Sequence, residues 1–132
     1  MTTTTAHPNV DTVNAIVPAM RAQDHAALTK IFTDDLVLHL RGPVPVAGDH
    51  QGVGGLAEAI GGLLSLAEVE LEQVFCVGTD GWASEFEIAT LRRNGKTLTC
   101  HDTFVYRFEG ERIAEMWFLI DTDPDKAAAF LA

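Results

Sequence analysis

Two carboxylates, Glu87 and Asp102, lie on neighbouring strand-like runs, one on each. An Asn-Gly dipeptide at positions 94–95 joins the two runs. Asn-Gly is the strongest short signal for a two-residue hairpin loop, and such a loop pairs Arg93 with Lys96. Counting along both strands from this loop places Glu87 directly opposite Asp102. Two carboxyl groups held side by side form an acid/base pair of the kind that moves protons at carbon or at an epoxide oxygen.

The alternation of side chains along the hairpin predicts that this pair faces the protein interior. The same face carries eight further residues, seven of them apolar: Glu85, Ala89, Leu91, Leu98, Cys100, Phe104, Tyr106 and Phe108. Helices should cover the more apolar face, so we expect both carboxylates in the interior or in a pocket. Two charges about 5 Å apart at an effective dielectric of about 20 repel by roughly 3 kcal/mol, so the pair should share one proton near neutrality. The alternative is a solvated pair at an open mouth.

The other candidate residues for chemistry give weaker patterns. The run Cys100-His101-Asp102 contains residue types of a catalytic triad, but His101 points away from both neighbours in a strand. His39 lies on the strand face opposite three leucines, which indicates an exposed or interface histidine rather than a base. No two histidines have metal-ligand spacing and neither Cys76 nor Cys100 belongs to a C-x-x-C motif, so we expect reduced thiols and no metal site.

The elements that must position the pair predict an α+β fold. Helical periodicity from Val10, interrupted by Pro18, indicates a first helix, and Asp24 is a candidate N-cap for a second. A strand that ends at Gly42, a glycine-rich third helix and a last helix opened by Asp123-Pro124 complete the helical part. Strand patterns cover four consecutive segments: 68–77, 82–93, 96–108 and 112–121. This order indicates a curved antiparallel sheet with helices on one side.

Composition indicates one domain and excludes several classes of partner. The chain has 132 residues and is 47% apolar, which is enough for a single core, so we expect one domain over residues 10–132 and a disordered tail over residues 1–9. Nineteen acidic residues against nine basic ones give a formal charge of −10, which disfavours nucleic acid and anionic membrane partners. Without a basic leader or a long apolar run, the sequence predicts a soluble, cytoplasmic protein.

Apolar residues on the other face of the sheet predict self-association. Phe86, Ile88 and Trp117 fall on the face that the helices are expected to leave uncovered. An exposed apolar patch of this kind is typical of an interface, so we expect a homodimer that forms through the outer sheet face.

Three segments in order resemble a known family: "RAQDHAALTKIFTDDLVLHLRGP", "VAGDHQGVGGLAEAI" and "FVYRFEGERIAEMWFLID". The chain resembles the SnoaL-like branch of the cone-shaped superfamily typified by nuclear transport factor, ketosteroid isomerase and limonene epoxide hydrolase. The resemblance implies a curved, mixed but mostly antiparallel sheet wrapped by three to four helices around a deep pocket. It also implies general acid/base chemistry without metal or organic cofactor, such as polyketide ring closure, isomerisation, dehydration or epoxide opening.

The resemblance implies roles for particular positions. Leu40, Phe104 and Phe118 stand where members of the family carry catalytic aspartates. Glu87 stands where limonene epoxide hydrolases carry an aspartate, and Glu85 occupies the place of the arginine partner of that aspartate. The acids left for catalysis are therefore those of the hairpin.

These observations support an enzyme hypothesis and a binding hypothesis. In the first, Glu87 and Asp102 are the catalytic pair of a cyclase or isomerase for a small hydrophobic carbonyl compound, or of an epoxide hydrolase, with Tyr106 as hydrogen-bond donor and Glu72 or Glu85 near the rim. In the second, the chain binds a hydrophobic ligand without turnover or serves as a dimeric interaction module. Both use an apolar substrate-binding wall proposed from six residues: Leu38, Leu40, Phe104, Tyr106, Met116 and Phe118.

Overall fold

The computed structural model describes Thr3–Thr4 and residues 6–132. It contains five helices: α1 (Pro8–Asn14), α2 (Ile16–Arg21), α3 (His25–Ile31), α4 (Gly52–Leu64) and α5 (Pro124–Leu131). The strands are β1 (Thr3–Thr4), β2 (Phe32–Arg41), β3 (Gly48–Gln51), β4 (Glu68–Thr79), β5 (Trp82–Arg93), β6 (Lys96–Glu109) and β7 (Arg112–Asp121). None of the helices in these ranges is long and apolar enough to cross a membrane.

All the strands form one curved sheet in the order β1-β4-β5-β6-β7-β2-β3. Strands β4 to β7 form an antiparallel meander, and β2 pairs with β7 in parallel. Along β5 to β7 most side chains on the inner face are buried, whereas most of those on the outer face are half-buried or exposed. The predicted α+β class, with a mixed and mostly antiparallel sheet, is confirmed.

The hairpin loop has the conformation that its residues predict. Asn94 and Gly95 both have positive φ, 51° and 77°, as a two-residue loop that matches the twist of the strands requires. The loop pairs Arg93 with Lys96, and the register continues without a shift along β5 and β6. The local sequence therefore fixes which residues of these strands lie opposite each other.

Helix ends also follow from local residues. The Asp24 side chain accepts a hydrogen bond from the Ala27 backbone N–H and caps α3, and Asp123 caps α5 in the same way. The first helical stretch is divided at Ala15 into α1 and α2, a few residues before Pro18, because proline cannot donate a backbone hydrogen bond within a helix.

Two segments differ from the sequence expectation. Residues 48–51 were expected in a loop but form β3, which pairs with β2 at the edge of the sheet. In the expected tail, residues 1, 2 and 5 lie outside the described residues, Thr3–Thr4 pairs with β4, and α1 begins at Pro8. Neither segment has an alternating apolar pattern, so only tertiary pairing identifies these strands.

Candidate active site

The hairpin brings the two predicted carboxylates together inside the protein. Glu87 pairs with Asp102 across β5 and β6, as counting from the Asn-Gly loop predicted. Only 7% of Glu87 and 5% of Asp102 is exposed to solvent. Both side chains face the interior, so the alternative of a solvated pair does not describe this structure.

The carboxylates line a large cavity between the inner face of the sheet and the helices. Its volume is about 960 Å³, within the range of sites for small organic ligands. Apolar side chains from all five helices and from β4 to β7 provide most of its wall. Leu64 and Leu71 line the cavity and are 58% and 41% exposed, so they lie at its mouth.

A third carboxylate, Glu85, belongs to the same site. It was expected near the rim but is only 6% exposed, and it lines the cavity with Glu87. The Tyr106 hydroxyl donates a hydrogen bond to Glu85 Oε1 at 2.8 Å, and Gln73 Nε2 donates to Glu85 Oε2 at 2.7 Å. Both oxygens of Glu85 therefore accept a hydrogen bond, which fixes the orientation of its side chain.

A β-bulge positions Gln73 for this contact. Gln73 lies opposite Glu87, whereas the pairing shifts at the next position so that Phe75 lies opposite Phe86. The extra residue in β4 turns Gln73 toward the cavity and Phe75 toward the outer face. Glu72, the other acid considered near the rim, pairs with Ile88 and is exposed, so it is not part of the cavity wall.

Burial and neighbouring charge alter the acidity of the cluster. Burial raises the pKa of Glu87 from 4.5 to about 8, and the charge of Glu85 and a hydrogen bond to it contribute further. Asp102 adds a smaller repulsion, so the main partner of Glu87 is Glu85 rather than the expected Asp102. Burial raises the pKa of Asp102 from 3.8 to about 7. Both groups therefore exchange protons near neutral pH.

Asp102, in the cavity wall, has an unused hydrogen-bonding position. Among the described residues, its Oδ1 atom is buried and has no hydrogen-bond partner. A buried polar atom without a partner is costly, so such atoms are uncommon and often belong to functional sites. Asp102 lines the cavity, and a bound ligand with a polar group could supply the missing partner.

The expected substrate-binding residues divide into two groups. Phe104, Tyr106, Met116 and Phe118 line the cavity, and the rings of Phe104 and Phe118 are 4.3 Å apart. By contrast, Leu38 and Leu40 were expected in the wall, but they are fully buried in the core and do not line the cavity. The reason is that α4 packs against β2, and Leu38 and Leu40 belong to the same buried core cluster as Leu56 and Ala59 of α4.

The outer face of the sheet carries a row of aromatic side chains. Phe86, Ile88 and Trp117 lie on this face and are half-buried within the chain. Trp117 stacks on Trp82 and on His39, with ring centroids 6.2 and 5.3 Å apart. The His39 ring lies between two carboxylates, 2.6 Å from Glu115 and 2.9 Å from Asp49, and these hydrogen bonds raise its pKa. His39 is thus far from the cavity acids.

The other candidates from the sequence form neither a catalytic triad nor a metal site among the described residues. His101 lies on the outer face, where it stacks on Phe86, so Cys100, His101 and Asp102 form no triad. Cys76 and Cys100 are free, buried thiols, and burial raises the pKa of both to about 11. Within the described ranges, no group of three His, Cys, Asp or Glu side chains is arranged to hold a metal ion.

Comparisons with known proteins identify relatives by sequence and by structure. The model of the SnoaL-like domain matches residues 13–116. A solved NTF2-like protein from Burkholderia xenovorans LB400 is 21% identical, with a TM-score of 0.77 over 95% of this chain and 96% of that one. No curated protein matches the sequence.

Two further solved structures share the fold. TerC, co-crystallised with polyporic acid, is 15% identical, with a TM-score of 0.75 over 95% of this chain and 98% of its own. IdmH from Streptomyces antibioticus, which has been suggested to be a polyketide cyclase, is 17% identical, with a TM-score of 0.69 over 95% of this chain and 99% of its own. At these identities the likeness establishes the NTF2-like cone fold.

Proposed function

The chain belongs to the family of SnoaL-like domains, and we propose that it is a general acid/base enzyme of the cyclase or isomerase type. Its substrate would be a small hydrophobic carbonyl compound, and the reaction would need neither metal nor organic cofactor. The observation that carries the proposal is the cluster of three buried carboxyl groups on the wall of an otherwise apolar cavity. The suggested role of IdmH as a polyketide cyclase supports this class of chemistry.

Asp102 is the proposed general base. Asp102 lines the cavity, its Oδ1 atom has no hydrogen-bond partner among the described residues, and a pKa of about 7 leaves about half of the carboxyl groups ionised at neutral pH. A carboxylate in an apolar cavity is poorly solvated, which favours removal of a proton from carbon next to a carbonyl group. The product of this step is an enolate whose negative charge lies mainly on oxygen.

Glu87 is the proposed general acid. With a pKa of about 8 it is mostly protonated at pH 7 and can donate its proton to the carbonyl oxygen as negative charge develops there. Glu85 is a positioning residue, because it accepts hydrogen bonds from Tyr106 and Gln73 and supports the protonated form of Glu87. The enol carbon then attacks a second carbonyl group of the same molecule, Asp102 passes its proton to the new alkoxide, and Glu87 takes back the enol proton as the first carbonyl group re-forms. Where a carbon–carbon double bond is conjugated with the enol, Asp102 instead returns its proton to the remote carbon and Glu87 again recovers the enol proton.

Deuterium exchange tests this proposal without knowledge of the natural substrate. The protein would be incubated in D₂O with hydrophobic cyclic ketones such as 2-tetralone and 2-decalone, and exchange at the α-carbon would be followed by NMR. Wild type should accelerate exchange, whereas Asp102→Asn and Glu87→Gln should lose at least 90% of the acceleration. Asp35→Asn, which replaces an exposed carboxylate outside the cavity, is the matched control and should retain it.

A non-catalytic ligand-binding protein is the second candidate. Phe104 and Phe118 fill positions where the family resemblance implies catalytic aspartates, and their adjacent rings give the wall an apolar surface. A protein that binds the ketones in its cavity, yet exchanges their protons no faster than Asp102→Asn does, would have this role. Hydrolysis of limonene oxide with loss in Glu87→Gln would instead favour the epoxide hydrolase alternative.

A further inference from the structure

Most of the basic side chains of this acidic protein already have partners. Six of the nine lysines and arginines form an ion pair or a hydrogen bond to a backbone carbonyl. Within the described part of the chain, Arg21, Lys30 and Lys126 have no such partner. Of these three, only Arg21 lines the cavity. Among the described residues, Arg21 is therefore the one unpaired lysine or arginine that a ligand in the cavity could meet.

The position of Arg21 is fixed by a compact turn between α2 and α3. Gln23 has a positive φ of 51°, the Gln23 N–H donates to the Met20 carbonyl, and the Asp24 N–H donates to the Ala19 carbonyl. These two hydrogen bonds are those of a Schellman motif, in which the residue with positive φ is usually glycine. Asp24 also caps α3, so the three residues between the helices belong either to the end of α2 or to the start of α3. Arg21 is held in the last turn of α2.

Arg21 and the acid cluster occupy opposite walls of the cavity. Arg21 comes from the helical wall and is exposed at the solvent side, while Glu85, Glu87 and Asp102 come from the sheet and are buried. An anionic group would be repelled by the carboxylates and attracted by the guanidinium, which binds carboxylates through two parallel hydrogen bonds. A neutral carbonyl group is not repelled in this way and can accept a hydrogen bond from the protonated carboxyl groups of the cluster.

From this charge arrangement, we propose that Arg21 binds an anionic group of the substrate at the cavity mouth, and that the substrate is a hydrophobic carbonyl compound bearing one carboxylate or similar acid. This inference deepens the proposed function, on which it rests, by assigning the charge of the substrate. Arg21 is a specificity-determining residue that orients the molecule. The neutral carbonyl end is then directed to Asp102 and Glu87.

A pair of probes that differ only in charge tests this assignment. The probes are 2-naphthoate and its neutral amide, 2-naphthamide, and their dissociation constants would be measured at pH 6, where Asp102 and Glu87 are mostly neutral. Methyl-¹³C signals of Met20 and Met116 report binding inside the cavity, because both side chains line it. Wild type should bind 2-naphthoate about five- to tenfold more tightly than 2-naphthamide. Arg21→Gln should reduce this preference to about onefold by weakening only the naphthoate complex.

The control variants separate this inference from the proposed catalysis. Lys30→Gln removes an unpaired positive charge outside the cavity and should keep the preference, and Arg21→Lys should restore part of it. Asp102→Asn should keep the preference even though it abolishes proton exchange, so failure of the catalytic proposal would leave this result unchanged. Any one of three results would overturn the inference. The first is that wild type binds both probes equally; the second is that Lys30→Gln and Arg21→Gln lose the preference for 2-naphthoate equally; the third is that neither probe shifts either methyl signal.

Discussion

Replacing Asp102 with asparagine should stabilise the folded protein at alkaline pH and have little effect near pH 4. The pKa of Asp102 is about 7 in the folded protein, against 3.8 for an ordinary aspartate. Because the folded state binds this proton more tightly than the unfolded state does, the contribution of Asp102 to the free energy of unfolding is greatest below pH 3.8. It falls as the pH rises and reaches its lower limit above about pH 7.

The size of the effect follows from the two pKa values. Each pH unit is worth about 1.4 kcal/mol, so the difference between 3.8 and about 7 amounts to about 4 kcal/mol. This value needs no reduction for solvent screening because Asp102 is 5% exposed. Part of this loss of stability has already occurred at pH 5. Between pH 5 and pH 8.5 the free energy of unfolding of the wild type should therefore fall by about 2–3 kcal/mol through Asp102 alone. Asparagine has nearly the same shape and carries no such dependence.

Urea unfolding at pH 5 and pH 8.5, at one protein concentration, measures this linkage. The stability of Asp102→Asn relative to wild type should rise by about 2–3 kcal/mol between the two values. Asp35→Asn, an exposed carboxylate on β2, should change by less than about 0.5 kcal/mol. A stability difference that is the same at both pH values would show that Asp102 is solvated, and the reasoning on the buried cluster would then fail.

Three further predictions concern catalysis, the cluster and assembly. The rate of catalysed proton exchange in ketones should have a bell-shaped pH dependence with its maximum between about pH 7 and 8, because Asp102 must be ionised and Glu87 protonated. A catalysed rate that keeps rising to pH 10 would contradict these roles. Tyr106→Phe should lower the unfolding free energy by about 1–3 kcal/mol, since Glu85 Oε1 loses its buried donor; unchanged urea unfolding would mean that this hydrogen bond contributes nothing. We also propose a homodimer through the outer aromatic row; Trp117→Glu, which places a charge there, should shift sedimentation from dimer to monomer, and a monomeric wild type or an unchanged dimer in the variant would contradict this interface.

The sequence by itself determined the features that depend on a few adjacent residues. Asn94 and Gly95 adopt positive φ with little cost, so they fix the loop, the register and the pairing of Glu87 with Asp102. Side-chain alternation has a period of two, so the same register also decides which residues face the core. Asp24 fixes a helix start through its own side chain.

Only the tertiary structure decided how deep the acids lie and what they contact. Glu85 meets donors from two other strands, and one of them, Gln73, reaches it only because a bulge in β4 changes the direction of alternation. Leu38 and Leu40 have the same alternation as residues of the cavity wall but are covered by α4. The burial of the acids and their pKa values depend on how helices that are distant in sequence pack on the sheet. No local sequence pattern encodes that packing.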